Sequence, residues 1–599
     1  MVTFISNIKV HVRRILESKW SPIFLALIAM LLVSGTLGTD IHFDDYIHRI
    51  KLREPDLWPS GHNSIVGLFA FGSGNPDHMR HAMESGMVPW WTSEQLKVAF
   101  FRPVTALTHW LDYRLWPDNH AMMHLHSILW FGAFVLTAAQ VYRRFMTPYW
   151  IAGLAALLFA IDDAHGIPVG WLSNRNALIA AVFGFLALIF HDRWRRGRHK
   201  AAAALGPLAF LLGLLSAEAG LSVGAYLLSY EIFLMSDKPR KRFMAFLPYV
   251  FVFVIWYAVY ISLGFGTNGS GAYIDPGRFP LAYLNVLWER LPVLLYGQWL
   301  FPNAFVYGLL PKPFAYVVLM VVYVLLIGII TVLIPILRRD AVSRFWALGM
   351  VLALLPVCAM SPDNRLLIFC GLGAMGLLAR LFATWFEKDK WLPASKAWRA
   401  LAGCYIGIFI FIHFIVAPLF LPIQSLGVDR MEEVMLERPI LALSQEIDFS
   451  GKTLVFINPP LPFAVMHMPF ICWDHGIAMP DTSRVLASGL SSDLTISRVD
   501  SRSLEIEAQG GFITNTFDRL YRGTSVPMTQ GQRIELTDMV AEVQTLTPDH
   551  RPLKVRFTFS RTLENASLCF YQWKDKGYVS FDPPALGDSV QIAKVNMLF

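Results

Sequence analysis

The chain has 599 residues, of which 55% are apolar and only 16% charged, where soluble domains carry about a quarter charged residues. Its mean hydropathy of +0.46 excludes an ordinary soluble enzyme. The net charge of +7 reports where the loops lie and does not point to a nucleic-acid partner.

Through the first two-thirds, apolar stretches follow one another at close to the roughly 20 residues that cross a bilayer. The first, residues 22–38, comes after Lys9, Arg13, Arg14 and Lys19 and has no small-residue cleavage site, so it reads as a span and not as a removed signal. Lys and Arg collect in cytoplasmic loops. On that rule "YRRFM", "HDRWRRGRHK", "SDKPRKR", "RRDAVSR" and "EKDKWLPASK" lie inside. The expected spans are 22–38, 121–141, 150–160, 177–190, 201–215, 221–234, 243–263, 314–337, 345–360, 366–386 and 401–421, with an interfacial helix at 281–300. That makes about eleven, with the N-terminus inside. The outer loops hold the acids, histidines and isolated arginines, so a site would face outward.

From Gln424 the pattern changes to strand-like alternation in "KTLVFI", "LTISRV", "SLEIEA" and "PLKVRFTF", punctuated by "NPP", "QGG", "TPDHRP" and "FDPPALGD". The expected fold is a polytopic α-helical membrane domain over 1–423, with a large first outer loop at 39–120. A β-rich extracytoplasmic domain over 424–599 follows. That domain carries no nucleophile or metal motif and is the expected seat of acceptor choice. Cys358, Cys370 and Cys404 fall in apolar segments and read as packing. Cys472 and Cys569 could pair if their region is extracytoplasmic, which spacing alone does not establish.

The outer features come in a fixed order. Asp44 and Asp45 follow the first span, and "FFRPVTALTHWLDYRLWPDNHAMMHLHSILW" leads into the second. Next come "FAIDDAHGIPVGWLSNRNALIAA" and "LLSAEAG". This order, on this topology, resembles the GT-C superfamily of membrane glycosyltransferases. The nearest branch holds protein O-mannosyltransferases, the bacterial lipid A aminoarabinose transferase and the TPR-bearing O-mannosyltransferases of animals. The likeness covers roughly residues 20–380; the β-rich region lies outside it and no TPR repeat occurs. It implies an inverting transfer of a sugar from a polyprenyl-phosphate donor to a protein, lipid or glycan acceptor at the outer face. The implied partners are that donor, membrane lipids and the acceptor, and the implied location is a bacterial inner membrane with the β-rich domain periplasmic.

Such a reaction needs a base for the acceptor's proton and donors or a metal for the departing phosphate. The resemblance implies that Asp44 or Asp45 is the base. Successive side chains of an extended loop diverge, so one of the two faces substrate. Asp44 is favoured because the family's base leads the acidic pair; the alternative is a capping or solvated acid. Asp40 reads as a helix-end acid, and His48 as either a partner of the acids or loop packing. Arg102, Arg175 and Arg365 are lone arginines at outer ends, against the positive-inside trend. Their fork geometry suits the donor phosphate, while snorkelling is the alternative.

His124 matches the family's histidine position and would line the cavity. His126, two residues on, points elsewhere. Asp162, Asp163 and His165 could position the acceptor, bind a divalent metal with Asp44 or Asp45, or simply end a polar loop. No cofactor motif occurs and related enzymes divide on metal; if one is used, the expected set is Asp44, Asp163 and His165. Glu218 is a cap or a cavity-wall acid, and Glu231 a structural one. "GTNGSGAYIDP" is too glycine-rich to hold one shape unaided and is expected to be a mobile loop over the donor entrance. A transporter or flippase would place charges in mid-span and show inverted repeats, which this chain lacks. A non-catalytic envelope-assembly scaffold built on the β domain is the third reading.

Overall fold

The computed structural model describes residues 2–54, 65–197, 199–310, 312–387, 389 and 391–595. Residues 55–64 of the long first outer loop, and Arg198, Lys388 and Lys390 of the basic loops, lie outside the described residues. The chain divides into two compact units. One comprises Met1–Ile41, Phe100–Phe265 and Pro276–Val428; the other comprises His42–Ala99, Gly266–Asp275 and Asp429–Phe599.

The first unit is helical. Among the described residues six helices are long and apolar enough to cross a membrane: His120–Phe145, Leu172–Arg195, Pro239–Ser262, Pro313–Arg339, Ile368–Phe386 and Lys396–Ser425. Two bent pairs, Val10–Glu17 with Ser21–Leu32 (94°) and Tyr149–Ala160 with Asp163–Gly170 (50°), raise the number to eight if each is one span. The other expected spans fall on shorter apolar helices, Ala202–Leu214, Val223–Phe233 and Ala341–Val357, none of which reaches about 20 residues. Length and composition therefore support six to eight spans and leave the remainder of the eleven open. The Pro280–Trp299 helix occupies the place of the expected interfacial helix.

Small residues let these helices close on one another. A Cβ at Gly373 would stand 2.6 Å from the Trp346 carbonyl oxygen. Tyr226, fully buried, donates its hydroxyl to the Phe369 carbonyl at 2.6 Å and accepts from the Gly373 amide at 2.9 Å. Where the Leu172–Arg195 helix ends, Asp192 pairs with Arg144 and Arg196, and Glu231 pairs with Arg195 and His191. Charges buried here are neutralised by partners, the condition under which they are tolerated, and Glu231 is one of those partners.

Among the described residues the second unit holds three sheets. The largest is antiparallel, in the order Ser589–Ile592, Leu494–Arg498, Ser503–Ala508, Pro552–Phe559, Met539–Leu546, Arg533–Glu535. Its strands alternate buried and half-exposed positions because successive side chains leave opposite faces. A four-stranded sheet sets Leu568–Lys574 and Thr482–Val485 parallel to Thr453–Phe456 on either side. Parallel neighbours need a crossover, which the short helices Phe463–Met466 and Met468–Asp474 supply between Thr453–Phe456 and Thr482–Val485. The third sheet joins Ala70–Ser73, Lys97–Ala99 and Gly266–Asn268.

The glycine-rich segment expected to be mobile supplies that last strand. It is also tied by Gly271 N to the Arg519 carbonyl and by Gly523 N to the Gly269 carbonyl, both at 2.7 Å. The tertiary contacts, not its own sequence, give it a shape. All five cysteines are free, Cys472 and Cys569 included.

Candidate active site

The acidic pair lies on a helix and not in an extended loop. Asp44 and Asp45 open the helix Asp44–Arg53, where carboxylates complement the positive N-terminal end. The two separate for a different reason than strand alternation. Asp45 is 1% exposed, and its carboxylate accepts the His42 backbone N–H at 3.1 Å, closing the turn before the helix in the manner of a capping box. Asp44 stays half-buried. The preceding residue, Phe43, holds φ at +44°, a conformation costing about 1–3 kcal/mol in a non-glycine residue. Packing against the Phe463 and His467 rings at 6.1 and 5.9 Å holds it there.

His42 is buried, with Nδ1 2.9 Å from Glu432 and Nε2 3.6 Å from Asp429. Burial opposes charge on this imidazole, but the Glu432 hydrogen bond and the carboxylates of Glu432, Asp45 and Asp429 outweigh it and raise its pKa. Burial pushes Glu432 up to about 7 against the pull of His42. Two turns along from Asp44, Lys51 is buried and donates to the carbonyls of Gly67, Leu68 and Ala70. Burial brings it down to about 7, opposed by the charge of Asp44. The same charge, after burial itself, raises the Tyr521 hydroxyl well above its ordinary value. His48 packs edge-on to Phe69 at 4.6 Å and over Phe71 at 6.0 Å.

In the first unit a second acidic pair divides in the same way. Asp162 is buried, caps the turn Asp163–His165 by accepting Ala164 N–H at 3.1 Å, and accepts from Gln298 at 2.9 Å. Asp163 is half-buried. His165, fully buried, is enclosed by the rings of Phe131, Phe134 and Phe159 at 4.7–5.9 Å. This turn is seated on the end of the last span by glycines: a Cβ at Gly166 would meet Gln424 Cβ at 2.4 Å, and one at Gly170 would meet the Ser425 carbonyl oxygen at 1.9 Å.

The three expected phosphate-binding arginines differ in setting. Arg102 bonds Glu218 through Nε and Nη2, both at 2.8 Å, and lies over Phe100, so two of the predicted residues form one half-buried ion pair. Arg365 bonds Asp363 at 3.3 Å and stacks over Trp171 at 5.2 Å. Arg175 is 0% exposed and all three of its guanidinium nitrogens are engaged, with Ser127, Asp112 and the Met123 carbonyl. It is a buried partner of Asp112. His126 also bonds Asp112, at 2.6 Å. His124, fully buried, instead reaches the Asp40 carbonyl at 3.0 Å and Thr39 Oγ1 at 3.2 Å. Asp40 pairs with His120 at 2.5 Å.

No family model matches the chain. A stretch of 124 residues is 29% identical to a protein O-mannosyl-transferase of Caenorhabditis elegans, covering 20% of this chain and 17% of that protein. The chain thus matches less than a fifth of that relative's length.

Among the described residues no group of three His, Cys, Asp or Glu side chains is placed to hold a metal ion. Lys51, Glu432 and Tyr521 escaped the sequence reading. Lys51 had a usable signal: seven residues after Asp44, it shares a face with it once residues 44–53 are read as a helix. Glu432 and Tyr521 had none, being distant in sequence and set in unremarkable contexts.

Proposed function

We propose that this chain is an inverting membrane glycosyltransferase of the O-mannosyltransferase type, moving a sugar from a polyprenyl-phosphate donor to a protein, lipid or glycan acceptor. The observation that carries the reading is the division of labour in the first acidic pair. Asp45 is committed to the backbone, and Asp44 is kept half-buried at a helix start, where shading from water and nearby charge can tune a general base. The apolar spans and the local likeness to a protein O-mannosyl-transferase support the same class.

In this reading Asp44 takes the acceptor's proton as its oxygen attacks the anomeric carbon, and the sugar–phosphate bond breaks with inversion. Arg102 and Arg365 are the cations offered to the departing phosphate. The reaction takes place at the outer face of a bacterial inner membrane, with the β-rich region periplasmic and engaged in acceptor choice.

The test is turnover of a panel of polyprenyl-phosphate sugars by the purified full chain in nanodiscs, with and without EDTA. Asp44→Asn is expected to abolish transfer while donor binding persists. If the wild type neither binds nor turns over any such donor and Asp44→Asn still complements a deletion strain, the reading fails.

A further inference from the structure

In the second unit the turn at residues 547–551, which links Met539–Leu546 to Pro552–Phe559, meets residues 513–528 around a cavity of about 30 Å3. Arg519, Arg522 and Arg551 line it against a single carboxylate, Asp549. Arg551 donates Nε to Asp549 at 2.7 Å and Nη1 to the Phe512 carbonyl at 2.9 Å. That ion pair brings Asp549 down to about 2, so it stays ionised and its charge is already shared with Arg551.

Neither of the other two guanidiniums forms a direct ion pair among the described residues, and the carboxylates that act on them, Glu94 on Arg522 and Asp549 and Asp518 on Arg519, do so from farther off. Arg522, 8% exposed, donates to the carbonyls of Trp91, Thr92 and Val526 at 2.6–3.1 Å. Among the described residues no carboxylate forms an ion pair with it, and burial brings its pKa down to about 10. Arg519 makes one side-chain hydrogen bond among the described residues, a long one of 3.4 Å from Nε to the Ile513 carbonyl. Burial, and then the neighbouring Arg551 charge, lowers its pKa against the pull of Asp549 and Asp518.

Buried cations are ordinarily neutralised by partners. Here a hollow is lined by three guanidiniums and one carboxylate. Arg519 and Arg551 keep nitrogens without a protein hydrogen bond among the described residues, while Arg522, whose nitrogens are all engaged by carbonyls, adds its charge behind them. A guanidinium's planar fork matches carboxylate or phosphate oxygens, and 30 Å3 is about two water-sized spheres, room for two oxygens but not for a sugar ring. We propose that this hollow is an oxyanion subsite that takes the carboxylate or phosphate group of a larger ligand lying over the turn. An acidic saccharide is the class that suits the domain, a choice that rests on the glycosyltransferase reading. The Arg519–Gly523 turn that grips the anion also holds the Gly266–Asp275 segment through Gly271 and Gly523, so ligand and segment are stabilised together.

The experiment uses the full chain in zwitterionic nanodiscs at constant ionic strength, titrated calorimetrically with glucuronate, inorganic phosphate or glucose. Saturable binding of glucuronate, phosphate or both is expected, with none for glucose. Whichever anion binds names the group recognised. Arg519→Gln is expected to weaken binding at least tenfold. Asp549→Asn, which removes the competing carboxylate, is expected to tighten it about threefold or more, a direction that general loosening of the fold would not produce. No saturable anion binding, equal binding of glucose, or affinity unchanged in both variants overturns the proposal. Because no transfer step is read, such a failure would leave the proposed reaction standing.

Discussion

Replacing each aspartate of the first acidic pair with alanine should separate stability from chemistry. In Asp45→Ala the buried His42 N–H loses its acceptor and the buried His42 ring loses one of the carboxylates that favour its charge. Leaving a buried donor unsatisfied costs about 1–3 kcal/mol. In a unit of this size each kcal/mol moves the midpoint by about 2–4 °C, so thermal unfolding of the full chain in nanodiscs should fall by roughly 2–12 °C. Asp44 is half-buried at the same helix start, and its contribution there is of the order of 0.3–1 kcal/mol. Asp44→Ala should therefore unfold within about 4 °C of the wild type, yet lose about 10²–10⁴-fold in transfer, the usual worth of a general base. Intrinsic-fluorescence melting and donor turnover, measured on the same preparations, give both readouts. Should Asp45→Ala keep its melting point and lose turnover while Asp44→Ala stays active, the roles have been assigned the wrong way round.

Arg175→Ala leaves the buried Asp112 with His126 in place of its arginine partner and should cost about 3–5 kcal/mol, seen as a lower melting point or loss of monodisperse protein. Arg175→Met combined with Asp112→Leu should recover most of it, and a fully stable single variant would refute the buried pair. The folded-state pKa values of Glu432 and His42 both lie above their ordinary values, while burial lowers His467 to about 4 and Lys51 to about 7 in the same unit and so acts in the opposite sense. The contribution of the Glu432–His42 pair is present below about pH 5 and is lost as pH rises through 7, at up to about 1.4 kcal/mol per pH unit for each proton. Denaturant midpoints of the wild type and Glu432→Gln across pH 5–8 isolate it: the stability of the wild type relative to the variant should fall as pH rises, and a rise in that difference contradicts it. Gly170→Ala drives a Cβ into the Ser425 carbonyl and should cost about 1–3 kcal/mol or more. Gly407→Ala, with nothing within 4 Å, should gain about 0.5–1 kcal/mol in its helix. Equal melting points for the two variants would rule out the tight seat of the 162–170 turn.

Much of the secondary structure was legible because its period is local. "SLEIEA" and "PLKVRFTF" are the strands Ser503–Ala508 and Pro552–Phe559, residue for residue, since one buried face requires alternation with period two. Long apolar runs such as Pro313–Arg339 announce themselves by length alone. The short apolar helices were harder to assign, because 11–17 apolar residues suit a buried helix as well as part of a span. Which carboxylate of each pair caps its turn was not legible at all. "DD" reads the same at 44–45 and 162–163, and only the backbone turn decides which carboxylate becomes a cap.

By itself, then, the sequence determined a largely apolar helical chain with a β-rich C-terminal region, and acids, histidines and lone arginines set apart from the basic loops. These properties follow from hydrophobic period and charge placement, which each segment carries within itself. The tertiary structure alone decided that Arg175 is sealed against Asp112, that His165 sits among phenylalanines and that Arg102 pairs with Glu218. It also decided that a glycine-rich segment near residue 270 takes its shape from residues 519–523. All but the Phe159–His165 contact depend on partners tens to hundreds of positions apart. Such contacts set burial and hydrogen bonding, and with them whether a charged side chain remains open to a substrate or serves to hold the fold.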